Sequence, residues 1–421
     1  MSDLLPLGDA VLPLIRSRSR DLWRYSVANE HGVQMLDGAA LLEQAIRHPQ
    51  SLNIYGVVEP TPDETYKVAH KALASAIRVI ARADDSAGII GDACRQLIDL
   101  HAQAAAQATV SPTKLADWIF DFHFDDQVDY FELDPVAYAP ALGPKGLDRL
   151  RARVDALRGE IPPHDPDDRL AHYDHREFLV RWFDKRFAVL DRDFEAIIHT
   201  HLRDGRVAAW YEDVAAAFEE IGEIDLAIDW SEQATLFEHG HQSQQAARRW
   251  QRLLEQHRPQ DLPDAVRVVF GRWPSAGAGA RVIETSGAGL IPDVQETLLS
   301  RPAELIRFQL ETMADPRLAW ETATRLEIED DRLWADLAAA YLAIDPIAAI
   351  SVQLRLVEGS LVEANTRRYR PAARELAAIK RSAAAAGDEA LALVNGAIGE
   401  LRERYRRRPS LIAALDRARL G

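Results

Sequence analysis

The sequence contains one cysteine, Cys94, among its 421 residues. A single thiol cannot form a disulfide within the chain, nor supply the several sulfur ligands of a cysteine-based zinc site. The stretch from Met1 to Arg16 carries Asp3 and Asp9, and it lacks the basic start and apolar centre of a secretory signal peptide. No run approaches the ~18 apolar residues that a membrane helix needs. The sequence therefore predicts a cytoplasmic protein that does not cross or bind a membrane.

Catalytic and cofactor signatures are also missing. The Gly-x-Ser-x-Gly nucleophile motif, the Walker and dinucleotide-binding glycine loops, and the zinc-protease pattern His-Glu-x-x-His do not occur. The glycines of the stretch 273–279 resemble a phosphate loop only in composition, and we interpret them as a flexible turn. These absences favour a protein that is not an enzyme and binds no cofactor or metal, although scattered catalytic residues would leave no motif.

What the sequence does have is helical periodicity. Hydrophobic residues make up 47% of the chain, Ala and Leu are abundant, and β-branched runs are short. Thr61, Pro62 and Glu64 form a capping-box start, and an apolar stripe at a spacing of three to four residues follows as far as Ile80. Further helices are expected at about 92–107, from Ser111 to about Phe122, and from Gly143 to Arg158. The fold class is therefore predicted to be all-α.

A polar, proline-rich stretch, Ile161 to Asp168, is the clearest break in these patterns. It predicts an N-terminal helical domain over residues 1–160, a linker over 161–170, and a second region over 171–421.

Several positions in this second region carry a repeat pattern. The segment 208–241 resembles a tetratricopeptide repeat, and Trp334 begins a second run at the same internal spacing. A third helix pair is expected around Tyr369, with its second helix at 391–401. The matching residues are Tyr211, Val214, Ala215, Phe218, Ala227 and Ala234, then Trp334, Leu337, Ala338 and Tyr341. The resemblance implies a solenoid of helix pairs in the C-terminal half, with a surface that holds a protein or peptide partner.

Two other segments resemble a different group. The run 122–146, with its Ala-Leu-Gly-Pro-Lys-Gly ending, and the sequence Arg408-Pro409-Ser410-Leu411 are similar to uncharacterised bacterial proteins related to the region that follows the zinc finger in SWIM-type proteins. The finger itself needs several cysteines, so neither its zinc ion nor its nucleic-acid role is carried over. This resemblance implies no activity.

The densest cluster of functional residue types lies in and just before the acidic–aromatic segment Asp121–Asp134. Its acids and histidine could hold a divalent cation in a metal-dependent enzyme, or its aromatic and acidic side chains could contact a basic peptide. Packing and helix capping would explain the same residues without any ligand, and the aspartate spacing does not match an EF-hand. The candidate binding residues here are Trp118, Asp121, His123, Asp125, Asp126 and Asp129.

Charge is unevenly distributed along the chain. The net charge is −16, which disfavours nucleic acid as a partner, but residues 360–421 hold 13 basic and 7 acidic residues, a net of +6. The arginine-rich run that includes Arg404 and Arg407 could contact an acidic partner or nucleic acid, or could be an ordinary solvated helix face. We expect a non-enzymatic binding or scaffold protein; a metal-dependent enzyme and a nucleic-acid contact remain the alternatives.

Overall fold

The computed structural model describes residues 4–124, 131–161 and 175–421. The chain divides into two compact units, the first made of Met1–Arg206 with Trp210–Ala227 and the second of Val207–Ala209 with Ile228–Gly421. Within the described residues the secondary structure is helical, and an isolated bridge between Leu5 and Val57 is the one β interaction. The predicted all-α, helical-repeat fold is confirmed.

In the first unit, the core lies mainly between helices that are neighbours or near neighbours in the sequence. Its helices are α1 (Leu7–Ile15), α2 (Tyr25–Arg47), a 3-10 helix (Pro49–Tyr55), α3 (Pro62–Ile80), α4 (Ile89–Gln107), α5 (Pro112–Phe122), α6 (Pro135–Glu160), α7 (His175–Asp191), α8 (Phe194–Leu202) and most of α9 (Ala208–Glu220). Helix α4 packs against α2, α3 and α6, and α5 packs against α6.

The start of α3 shows how sequence fixes a helix end. Thr61 Oγ1 accepts a hydrogen bond from the backbone N–H of Glu64 at 3.3 Å, and Glu64 Oε2 accepts one from the Thr61 N–H at 2.9 Å. This reciprocal pair satisfies two amide groups that a helix terminus would otherwise leave without a partner. Behind it, the predicted apolar stripe is buried from Val68 to Ile80. Both predictions are confirmed.

Helix α6 is two helices joined at a kink. Gly143 adopts φ 53° and ψ −175° inside it, and Pro140 and Pro144 stand on either side. This positive-φ conformation is one that residues with a Cβ rarely adopt, and proline removes the amide that would continue the helical hydrogen bonds. The helix predicted to begin at Gly143 is therefore the second segment of α6.

Ion pairs hold α6 and α7 together within the first unit. Arg158 binds Asp184 at 2.7 Å, and Arg151 binds Asp191 at 2.7 Å. Helix α7 therefore belongs to the first unit, and the domain bounds 1–160 and 171–421 stay predictions. The predicted linker, apart from Ile161, lies outside the described residues and stays a prediction.

The second unit is a succession of helices in which neighbours in sequence pack together, as in the pairs α17–α18, α18–α19 and α19–α20. Its helices are the end of α10 (Ile224–Leu236), α11 (His241–His257), α12 (Leu262–Arg272), α13 (Ala276–Ser286), a 3-10 helix (Ala288–Leu290), α14 (Ile291–Leu298), α15 (Pro302–Arg307), a π-helix (Phe308–Thr312), α16 (Pro316–Arg325), α17 (Asp331–Tyr341), α18 (Pro346–Leu361), α19 (Thr366–Ala386), α20 (Asp388–Arg404) and α21 (Pro409–Arg417).

The interpretation of residues 273–279 as a flexible turn is wrong. Ser275 caps α13, its Oγ accepting from the Ala278 N–H at 3.2 Å, and the glycines that follow are helical. A Cβ on Gly279 would lie 2.7 Å from Val294 Cγ1 and 3.3 Å from Phe308 Cδ2. Gly279 is therefore explained by the close approach of its neighbours and not by a need for flexibility.

Cys94 is buried in α4 with no exposed surface. Burial, together with the nearby Asp85 carboxylate, raises the pKa of its thiol to about 12. Across the described ranges, no helix combines the length and apolarity that crossing a bilayer requires. The cytoplasmic location stays a prediction.

Candidate functional site

A pocket of about 360 Å³ opens in the first unit beside α3 and α5. Its volume lies at the lower end of the range of about 300–1,000 Å³ that small-molecule sites occupy. We call it the histidine–tryptophan pocket, and its wall includes Tyr66, Lys67, His70, Ser111, Lys114 and Trp118.

A chain of hydrogen bonds runs from this pocket into the core. His70 Nδ1 lies 3.1 Å from His101 Nε2, and His101 Nδ1 lies 2.8 Å from the Tyr138 hydroxyl oxygen. His101 and Tyr138 are fully buried, whereas His70 is half-buried and lines the pocket. The chain therefore connects an accessible imidazole to two groups that no solvent reaches.

Aromatic rings enclose the two histidines. The Trp118 ring centroid lies 4.9 Å from that of His70 and 4.7 Å from that of His101, and Tyr66 lies 5.2 Å from His101. This apolar surrounding disfavours the charged form of any group inside it. Burial, assisted by the neighbouring His70, lowers the pKa of His101 to about 3, and burial also lowers the pKa of His70. Burial raises the pKa of Tyr138 well above its ordinary value.

Because these groups are neutral, the atoms that carry the protons in this chain of hydrogen bonds can be assigned. Within the described part of the molecule, the Tyr138 hydroxyl has His101 Nδ1 as its one hydrogen-bond partner, so its O–H donates there rather than remain buried without an acceptor. Neutral His101 must then carry its proton on Nε2 and donate it to His70 Nδ1. Neutral His70 carries its own proton on Nε2. The pocket is therefore lined by an imidazole N–H donor.

Charged groups stand at the rim. Lys67 and Lys114 are exposed, and α5 begins beside Lys114 with an N-cap, Ser111, whose side chain makes no capping bond. The same wall contains one carboxylate, Asp63, whose Oδ1 accepts a hydrogen bond from the Thr109 N–H at 2.7 Å. The positive end of the α5 dipole adds to the two ammonium groups.

Of the residues that the sequence nominated, Trp118 lies in this pocket. Asp121 lies elsewhere, on a neighbouring cleft of about 630 Å³, where its Oδ1 pairs with Arg153 at 2.8 Å. Arg153 also binds Asp117 at 3.2 Å, and its guanidinium carbon lies 4.2 Å from the Phe120 ring centroid. The Asp121 carboxylate is thus already paired with a guanidinium group within the chain.

His123 is a core residue, only 6% exposed. Its Nε2 accepts a hydrogen bond from the Leu133 N–H at 3.4 Å, and its ring packs against Trp182 and Phe183 at centroid distances of 5.0 and 5.1 Å. Packing explains this histidine without a ligand.

Three nominated acids, Asp125, Asp126 and Asp129, lie outside the described residues. In the ranges that are described, no group of three or more histidine, cysteine or acidic side chains is placed to hold a metal ion. The metal-dependent alternative therefore stays a hypothesis.

The C-terminal arginines are mostly engaged within the second unit. Arg404 pairs with Glu358, and Arg406 pairs with Glu403. Arg408 donates to the Leu361 carbonyl oxygen at 2.6 Å. Arg407 is exposed. The run therefore presents fewer available guanidinium groups than its sequence indicates.

The sequence analysis missed two aromatic pocket residues, Tyr66 and His70, and the two buried groups behind them, His101 and Tyr138. His70 and His101 are 31 positions apart and carry no recognisable motif. The available signal was a histidine inside the apolar stripe of a predicted helix, since His101 follows Leu97 by four residues and precedes Ala105 by four.

Comparison with known proteins places the pocket within the residues that a family model matches. No curated protein matches the chain. A family model described as a family of unknown function, DUF6880, matches residues 40–269, which include every residue of the histidine–tryptophan pocket. The match covers more than half of the chain, and the protein belongs to the DUF6880 family.

Proposed function

We propose that the protein is a non-enzymatic binding protein that holds a protein or peptide partner, and that the histidine–tryptophan pocket is one of its contact sites. The observation that carries this proposal is the chain from Tyr138 through His101 to His70, which ends as a fixed donor on an open, aromatic-walled pocket.

Fixed protonation favours binding over acid–base catalysis. A general acid or base works best when its pKa lies near the working pH. The pKa of His101 is about 3 and that of Tyr138 lies well above its ordinary value, so neither changes protonation near neutral pH. Groups with fixed protonation hold the N–H donor of His70 in place, and selective recognition requires such precisely placed polar groups.

The second unit supports the same class of function. Trp334 and Tyr341, which begin and end the second tetratricopeptide-like run, are 8% and 9% exposed, and the Tyr341 ring stacks on Trp320 at 4.4 Å. Ala338 is fully buried nearby. Small and large residues in such positions are typical of stacked helix pairs, whose exposed polar residues then supply selectivity. We propose that the helix pairs of the second unit are tetratricopeptide-like. The relation to SWIM-associated proteins stays a hypothesis.

Selection of peptides tests the proposal. A random peptide library is displayed on phage and selected against the full-length protein, and enriched peptides are measured by calorimetry. We expect Trp118→Ala to weaken their binding at least tenfold. The matched control is Trp23→Ala, since Trp23 is 62% exposed and does not line the pocket.

Thermal unfolding of both variants checks that they are folded. Failure to enrich any peptide, or equal binding to the two variants, would contradict the proposal.

A further inference from the structure

We propose that the histidine–tryptophan pocket recognises a carboxylate joined to an apolar or aromatic body, as in an acidic side chain or the carboxy-terminus of a peptide. This inference rests on the proposed function and names the chemistry of its ligand.

The neutral imidazole supplies the first contact. Because His101 donates to His70 Nδ1, the proton of His70 is on Nε2, which has no hydrogen-bond partner in the described part of the chain. A donor fixed by two buried partners does not need to reorient when an acceptor arrives, so little conformational entropy is lost on binding. An anionic oxygen is the acceptor that forms the strongest bond with it.

The ammonium groups of Lys67 and Lys114 supply the charge. Lys67 follows Tyr66 on α3, and Lys114 lies in the first turn of α5. The first-turn amide groups of α5 have no capping bond from the Ser111 side chain, so they add donors and a partial positive charge on the same side. The imidazole of His70, the two lysines and the N-terminus of α5 therefore all lie at the same pocket.

The charge balance favours a monoanion. The two lysines contribute two positive charges to the wall, Asp63 contributes one negative charge, and His70 is neutral, which leaves one positive charge. A carboxylate matches this charge. A phosphate monoester, which carries between one and two negative charges near neutral pH, would meet the Asp63 carboxylate with part of its charge uncompensated.

The remaining wall is apolar and selects what the carboxylate is attached to. The Trp118 indole and the Tyr66 ring are half-buried, and Leu115, which also lines the pocket, is buried. An aromatic or aliphatic group gains free energy by covering these surfaces. A small hydrophilic acid such as acetate lacks that contribution.

The test compares three phenyl compounds that carry a carboxylate, an amide or a phosphate group. Binding of 3-phenylpropanoate, 3-phenylpropanamide and phenyl phosphate to the full-length protein is measured by calorimetry and by saturation-transfer NMR. We expect the carboxylate to bind at least tenfold more tightly than the amide and more tightly than the phosphate. Equal affinity of acid and amide would overturn the assignment, and a preference for phenyl phosphate would replace the carboxylate with a phosphate.

Variants locate the effect. The double variant Lys67→Ala/Lys114→Ala is expected to lose the preference for acid over amide. The matched control, Lys71→Ala/Lys145→Ala, removes two exposed lysines on α3 and α6 that do not line the pocket, and it should keep the preference. Equal behaviour of the two double variants would overturn the inference.

Two peptide arms separate the sources of the carboxylate. One peptide ends in a free carboxy-terminal phenylalanine, and the other has an amidated end and an internal Phe-Glu pair. If neither peptide nor 3-phenylpropanoate binds, while phage-selected peptides still depend on Trp118, the carboxylate assignment is wrong and the proposed binding function stands.

Discussion

Replacement of Tyr138 by phenylalanine removes one hydroxyl from a fully buried hydrogen bond while leaving the shape of the side chain unchanged. The bond to His101 Nδ1 is 2.8 Å long, and neither residue is exposed. No apolar area is lost, so the effect isolates the polar interaction. A buried acceptor left without a donor costs about 1–3 kcal/mol. For a unit of about 150–250 residues this corresponds to a fall in melting temperature of roughly 2–12 °C.

The measurement is urea unfolding followed by circular dichroism, with thermal unfolding as a second readout. Tyr55→Phe is the matched control, because Tyr55 is 59% exposed in the same unit, and we expect it to change stability by less than about 0.5 kcal/mol. The tautomer of His70 is read from the ¹⁵N shifts of labelled imidazoles. Our reasoning would be refuted if Tyr138→Phe matched Tyr55→Phe in stability, or if His70 carried its proton on Nδ1 in the unaltered protein.

Three further perturbations follow from particular contacts. Gly279→Ala should destabilise the second unit by about 1–2 kcal/mol through overpacking. Gly277→Ala on the same helix, with open space around it, should be neutral or stabilising by a few tenths of a kcal/mol. Chemical unfolding distinguishes the two variants, and equal effects would contradict the steric argument. Arg186 is 16% exposed and binds the carboxylates of Asp134 and Glu220, each at 2.6 Å, so Arg186→Met should cost about 2 kcal/mol in urea unfolding; a change below about 0.5 kcal/mol would show that the two ion pairs contribute nothing. Burial lowers the pKa of His101 from 6.5 to about 3, so between those values the unfolded chain binds a proton that the folded chain does not, and stability falls as the pH drops. From pH 7 to pH 5 this group alone should remove about 2 kcal/mol, and His101→Gln should show a correspondingly shallower loss; identical pH slopes would contradict the burial argument.

The sequence predicted those parts of the fold that depend on residues close together in the chain. The capping box at Thr61 and the apolar stripe behind it depend on residues within one or two helical turns, and both are observed. The glycines at 277 and 279 misled the interpretation because a glycine that permits close packing and a glycine that permits a turn look the same in sequence. Only the positions of Val294 and Phe308, which lie on later helices, distinguish the two cases.

The candidate site was predictable only in part for a related reason. Trp118 attracted attention because aromatic and acidic residues crowd its neighbourhood in sequence. His70 and His101 did not, since a histidine on an apolar helix face gives no indication of what lies opposite to it. Their partnership depends on the way α3 and α4 pack together, and the donor role of His70 depends in turn on Tyr138, which comes from α6.

The burial of Cys94 makes the protein convenient for site-directed labelling. Maleimide and iodoacetamide dyes react with thiolates, and a thiol with a pKa of about 12 and no exposed surface is almost entirely protonated and out of reach at neutral pH. Since this is the only cysteine in the sequence, the natural chain already serves as an unreactive background. A new cysteine placed at the pocket rim, for example by Thr109→Cys, would take up a fluorophore selectively and report occupancy by ligands directly.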